Sequence, residues 1–69
     1  MPFNRAQLAR LREQAVLTQK ELAEKAGITE LSVHKIENGL QNPRPSTIRA
    51  LARALGVKRT VLLDLDGQS

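Results

Sequence analysis

The chain has no cysteine, no tryptophan and no tyrosine, and Phe3 is its only aromatic residue. Without thiols neither a disulfide nor a thiolate metal site can staple the fold, so stability must come from packing, with a partner subunit as a further source. A single aromatic ring offers no platform for unstacked bases, the usual device of proteins that bind single strands. No apolar run approaches the roughly 20 residues that span a bilayer. The opening MPFNRAQLAR also lacks the apolar stretch of a secretory signal. The expectation is a cytoplasmic chain with no membrane partner. Strand-like alternation, internal repeats and low-complexity tracts are missing as well.

What is present is basic and helical. Sixty-nine residues allow one small core, and one domain over residues 1–69 is expected, with 66–69 frayed. Eleven Lys and Arg against seven Asp and Glu leave a charge of +4, which suits a polyanionic partner. Five helices are predicted. The first runs from about Arg5 to Gln14, capped by Asn4, with Leu8 and Leu11 inward. The second, about Gln19 to Ala26, opens on a Thr18–Glu21 capping box and stops at Gly27. Thr29 caps the third, about Glu30 to Asn38, which buries Val33 and Ile36 and stops at Gly39. Prolines break the LQNPRP loop. The fourth helix, from Pro45 or Ser46 to Leu55, carries the stripe Ile48, Leu51, Ala52 and Leu55 and ends at Gly56. A short fifth, about Arg59 to Leu65, carries Val61, Leu62, Leu63 and Leu65. The fold class is a compact all-α bundle.

Two short helices joined through a glycine turn match the helix-turn-helix pattern. The segments Thr18-Gln19-Lys20-Glu21-Leu22-Ala23, Ala26-Gly27, Ile36-Glu37-Asn38-Gly39 and Leu51-Ala52-Arg53-Ala54-Leu55-Gly56-Val57 occur in order. In this the chain resembles the Cro/repressor (XRE) family of phage and bacterial regulators, from the first helix to the fifth. The resemblance implies a five-helix, lambda-repressor-like DNA-binding domain with the helix-turn-helix at helices 2 and 3. It also implies a sequence-specific regulator of transcription, a repressor acting as a dimer on a palindromic operator.

Carried over position by position, the resemblance places Thr29, Glu30, Leu31, His34 and Lys35 near base edges. Their chemistry agrees. Glu30 is an acceptor suited to the cytosine amine, and Lys35 is a donor suited to guanine O6 and N7. Leu31 either meets a thymine methyl or covers the edge of the core. His34 is a groove-edge contact or a solvated side chain. Gln19, Ser32, Asn38, Asn42 and Arg44 are the candidates for phosphate contact, which positions the protein without reading sequence. Asn38 also serves to close its helix. The resemblance further pairs Arg12 with Glu37 as a structural ion pair. The fifth helix has more apolar residues than one small core can take, so Val61, Leu62, Leu63 and Leu65 are candidates for a homodimer surface.

Two positions depart from the family pattern. Glu30 puts a carboxylate where relatives often have Gln, Arg or Ser. Lys58 stands at the cap of the fifth helix, where Ser is typical and where lysine cannot accept amide bonds. No metal, cofactor or catalytic site is expected: one histidine without clustered carboxylates binds no zinc, and Ser32 and His34, two apart on a helix, point in different directions. The partners implied are double-stranded DNA and a second copy. Alternatives are an antitoxin that also binds a toxin, a restriction–modification controller, and a module that binds another protein.

Overall fold

The computed structural model describes residues 3–64. The chain forms α1 (Arg5–Gln14), α2 (Gln19–Ala26), α3 (Glu30–Glu37), α4 (Pro45–Leu55) and a C-terminal 3-10 turn (Arg59–Leu62). Each of the first three helices starts on a side-chain cap. Asn4 Oδ1 accepts from the Gln7 amide at 3.0 Å, and Thr18 and Glu21 form a reciprocal capping box. Thr29 Oγ1 accepts from the Ser32 amide at 3.0 Å. Before α4, Arg44 makes no side-chain cap and Pro45 starts the helix instead.

All four helices end in the same pair of backbone bonds, in which two amides beyond the last turn return to its carbonyls. For α1 these run from Val16 to Glu13 and from Leu17 to Arg12, each 3.0 Å. The motif needs a left-handed residue. Gly27, Gly39 and Gly56 supply it for α2, α3 and α4, whereas α1 uses Val16 at φ 57. A β-branched residue is strained there, and Val16 is 86% exposed.

The core is apolar throughout. Leu8, Leu22, Val33, Leu51 and Leu62 are fully buried, with Ile36 1% exposed. α2 sits at the centre, packing on α3 and on α4, while α1 packs on α3 and on the C-terminal turn. No helix among the described residues is long and apolar enough to cross a membrane.

The expected fifth helix is corrected to a single 3-10 turn. Lys58 provides no cap bond, and Leu63 is already extended (φ −109, ψ 143). The chain is drawn out of helical geometry by its other end. Phe3 and Leu63 form an isolated antiparallel bridge, and the Asn4 amide donates to the Leu62 carbonyl at 2.8 Å. Leu62 is corrected too. It is fully buried in the core, so it belongs to no exposed apolar face. Val61 is exposed and Leu63 half-buried, whereas Leu65 lies outside the described residues.

Candidate nucleic-acid interface

α3 turns Val33 and Ile36 inward, and that leaves Glu30, Leu31 and His34 on the outside. Residues three and four apart share a helix face. Leu31 is 59% exposed, although it is large and apolar. Lys35 is half-buried at the edge of the same surface. The first turns of α2 and α3 meet at an open hollow of about 370 Å³, lined by Gln19, Glu30, Leu31 and His34. Four of the candidates, drawn from both helices, thus come together in space.

Others are engaged within the protein. Thr29 caps α3, and its hydroxyl donates to Ser32 Oγ at 2.9 Å, so both side chains are tied into the helix start. Asn38 Nδ2 donates to the His34 carbonyl at 2.7 Å and closes the helix. Asn42 and Arg44 are exposed in the loop between α3 and α4.

The angle of α3 is held from behind. Arg12 Nε donates to Glu37 Oε2 at 2.7 Å and Nη2 to Oε1 at 3.1 Å, while Nη1 donates to the Leu17 carbonyl at 2.9 Å. The two side chains are only 15% and 6% exposed. Gln19 Nε2 adds a third donor to the carboxylate, at 3.0 Å from Oε1. The hydrogen bonds and charge of Glu37 hold the Arg12 pKa above its ordinary value, against the opposing cost of burial. One carboxylate therefore joins α1, the start of α2 and the end of α3. Gln19 spends one amide hydrogen on this junction and keeps the other.

Two features escape a reading of the motif alone. One is the strained Val16. The other is Arg5, whose guanidinium lies over Gly39, so that a Cβ at that glycine would overlap Arg5 Nη1. Arg5 and Arg12 are seven residues apart and so share a face of α1. That spacing was the available signal.

Residues 5–65 match the helix-turn-helix domain family. The chain belongs to that family. This helix-turn-helix chain is 42% identical over 52 residues to the HTH-type transcriptional repressor RghR of Bacillus subtilis, a match spanning 74% of this chain and 38% of RghR. It is 38% identical over 55 residues to the uncharacterized HTH-type transcriptional regulator y4dJ of Sinorhizobium fredii, spanning 80% of this chain and 71% of that one.

Among solved structures, it superposes on the restriction-modification controller protein C.AhdI from Aeromonas hydrophila with a TM-score of 0.84 at 30% identity, over 86% of this chain and 89% of that chain. The biofilm regulator SinR, solved in complex with DNA, gives a TM-score of 0.79 at 33% identity over 83% and 92% of the two chains. The P22 c2 repressor, at 20% identity and a TM-score of 0.84 over 96% of this chain and 100% of that chain, shares the fold. The fold is lambda-repressor-like, of the Cro/repressor type.

Proposed function

We propose that this helix-turn-helix chain regulates transcription by binding duplex DNA with α3 in the major groove. The carrying observation is the outer face of α3. It is uncovered, combines an acceptor, a large apolar side chain and an imidazole, and is braced from within by the Arg12–Glu37–Gln19 junction. In this reading Glu30, Leu31, His34 and Lys35 meet base edges, with Thr29 at the mouth of the groove. Gln19, Ser32, Asn38, Asn42 and Arg44 lie against phosphates. The likeness to SinR, a structure that contains DNA, supports the assignment.

The chain acts as a dimer on a palindromic operator and represses by occupying it. Val61 and Leu63 support a pairing surface, together with a hollow of about 360 Å³ lined by Pro45, Ile48, Arg59, Thr60 and Leu63. Selection of binding sites from a random duplex pool tests both parts. The expected result is an enriched palindrome with half-sites about one helical turn apart. A pool that stays random through successive rounds overturns the reading.

A second reading is favoured by one observation. The similarity to C.AhdI runs over nearly its whole length, so control of a restriction–modification operon is the more specific form of the same activity. Methylase and nuclease genes beside this one would support it, and their absence would remove it.

A further inference from the structure

The electrostatics of the helix-turn-helix itself are unfavourable for a duplex. From Thr18 to Gly39 three lysines stand against four glutamates, so this segment carries no net attraction for phosphate. Glu30 in the first turn of α3 adds a carboxylate close to where the backbone would pass. Affinity for DNA rests on cations that neutralise phosphates and release counterions. Those cations must lie outside the motif and border α3 closely enough to reach the duplex.

Arg12 does not qualify. Its guanidinium is spent on Glu37 and on the Leu17 carbonyl. Arg5, two turns earlier on the same face of α1, reaches past the end of α3 and rests over Gly39. Among the described residues its side chain makes no hydrogen bond and no ion pair. Nor do the closing carbonyls of α3 require it. Those of His34, Lys35 and Ile36 already accept from the amides of Asn38, Leu40 and Gly39. A guanidinium with five donors, none of them used within the described residues, thus lies over the backbone at the start of the loop that carries Asn42 and Arg44. The negative end of the α3 dipole favours a cation at this place. Gly39 has no side chain to displace it.

We propose that Arg5 is a phosphate-binding residue. With Arg44 it grips the DNA backbone beyond the C-terminal end of α3 and supplies attraction that the helix-turn-helix lacks. The proposal rests on the duplex-binding reading above.

The test uses two probes, the duplex recovered by site selection and a random-sequence duplex of equal length, with binding titrated against salt. Arg5→Gln is expected to weaken both probes by the same factor, about fivefold to tenfold near 0.1 M salt. It should also lower the slope of log K against log salt by about 0.9. Arg5→Lys should restore the slope. Thermal melting of each variant reads out folding separately. A lowered melting temperature with an unchanged salt slope would mean that Arg5 only complements the α3 dipole, which overturns the proposal. Unchanged affinity and slope overturn it equally. If the wild-type chain retains no duplex at all, the functional reading fails and the role of Arg5 falls with it. If only the Arg5→Gln slope stays put, the functional reading stands and the role of Arg5 alone is lost.

Discussion

At the scale of single residues, the Arg12–Glu37 pair and Val16 carry much of the interest, and only the pair is visible in a motif. Arg12 and Glu37 follow from the resemblance to a known family, and the bidentate geometry explains why they matter. Cutting Glu37 to Ala leaves Arg12 mostly buried with only the Leu17 carbonyl as partner, and also strands the Gln19 amide. Breaking such a pair costs about 3–5 kcal/mol when fully buried. Because Arg12 retains one bond and some solvent, the expected loss is about 2–3 kcal/mol, read from the midpoint of denaturant unfolding. Val16 makes the opposite prediction. Its left-handed backbone costs about 1–2 kcal/mol, and glycine would remove that at an entropic cost of about 0.5–1 kcal/mol. Val16→Gly should therefore stabilise the fold by about 0.5–1 kcal/mol and raise the melting temperature by several degrees. A fall on melting would show that the valine side chain makes contacts worth more than its strain. Nothing in the composition around Val16 announces the strain, because three other helix ends carry the expected glycine and this one does not.

At the scale of elements, the helices are legible because their signals are local. Asn4, Thr18 and Thr29 each sit directly before an apolar 3.6-residue pattern, and each caps its helix in the structure. The last element was not legible. Its apolar content suggests a helix to Leu65, but the pairing of Leu63 with Phe3 is a contact across sixty residues that no window can see. The weak cap at Lys58 was the only local warning.

The α2 capping box also makes a pH prediction. The Thr18 amide donates to the Glu21 carboxylate, and together with the Thr18 hydroxyl it holds the Glu21 pKa below the usual 4.5. A carboxylate with a depressed folded-state pKa adds stability above its unfolded value and loses it as pH falls through the folded one. The melting temperature should therefore drop as the solution is acidified below about pH 4.5, the ordinary glutamate range. Glu21→Gln should flatten that part of the profile. An identical acid limb in wild type and variant would count against the capping box as its source.

At the scale of the whole molecule, the charge is unevenly distributed. Between residues 44 and 59 there are five cations, Arg44, Arg49, Arg53, Lys58 and Arg59, and no Asp or Glu. The excess that makes the chain basic therefore lies on both sides of the helix-turn-helix, in α1 before it and, more strongly, from Arg44 to Arg59 after it. In the proposed reading, base recognition by α3 and attraction for phosphate fall to different parts of the fold. The expected consequence is separable behaviour in binding titrations. Lys35→Ala should change which duplexes are preferred. Arg44→Ala should weaken all duplexes alike and reduce the salt slope by about one. Equal effects of the two substitutions on every sequence would argue against α3 as the reading element. The candidate site was partly legible for the same reason. Residues on α3 follow from helical periodicity, and Gln19 joins them because the turn folds α2 back on α3. Arg5 comes from another helix, and its place over Gly39 required the tertiary structure.

The tie between the two ends of the described chain has a consequence for synthesis. During synthesis α1 emerges before the plug that fills the core at Leu62 and the carbonyl that receives the Asn4 amide. Until Leu62 emerges, the Asn4 amide at the start of α1 has no acceptor and the core lacks its plug. This fold therefore closes only once the chain has been made through Leu62, and a piece that stops short of it lacks both the plug and the tie.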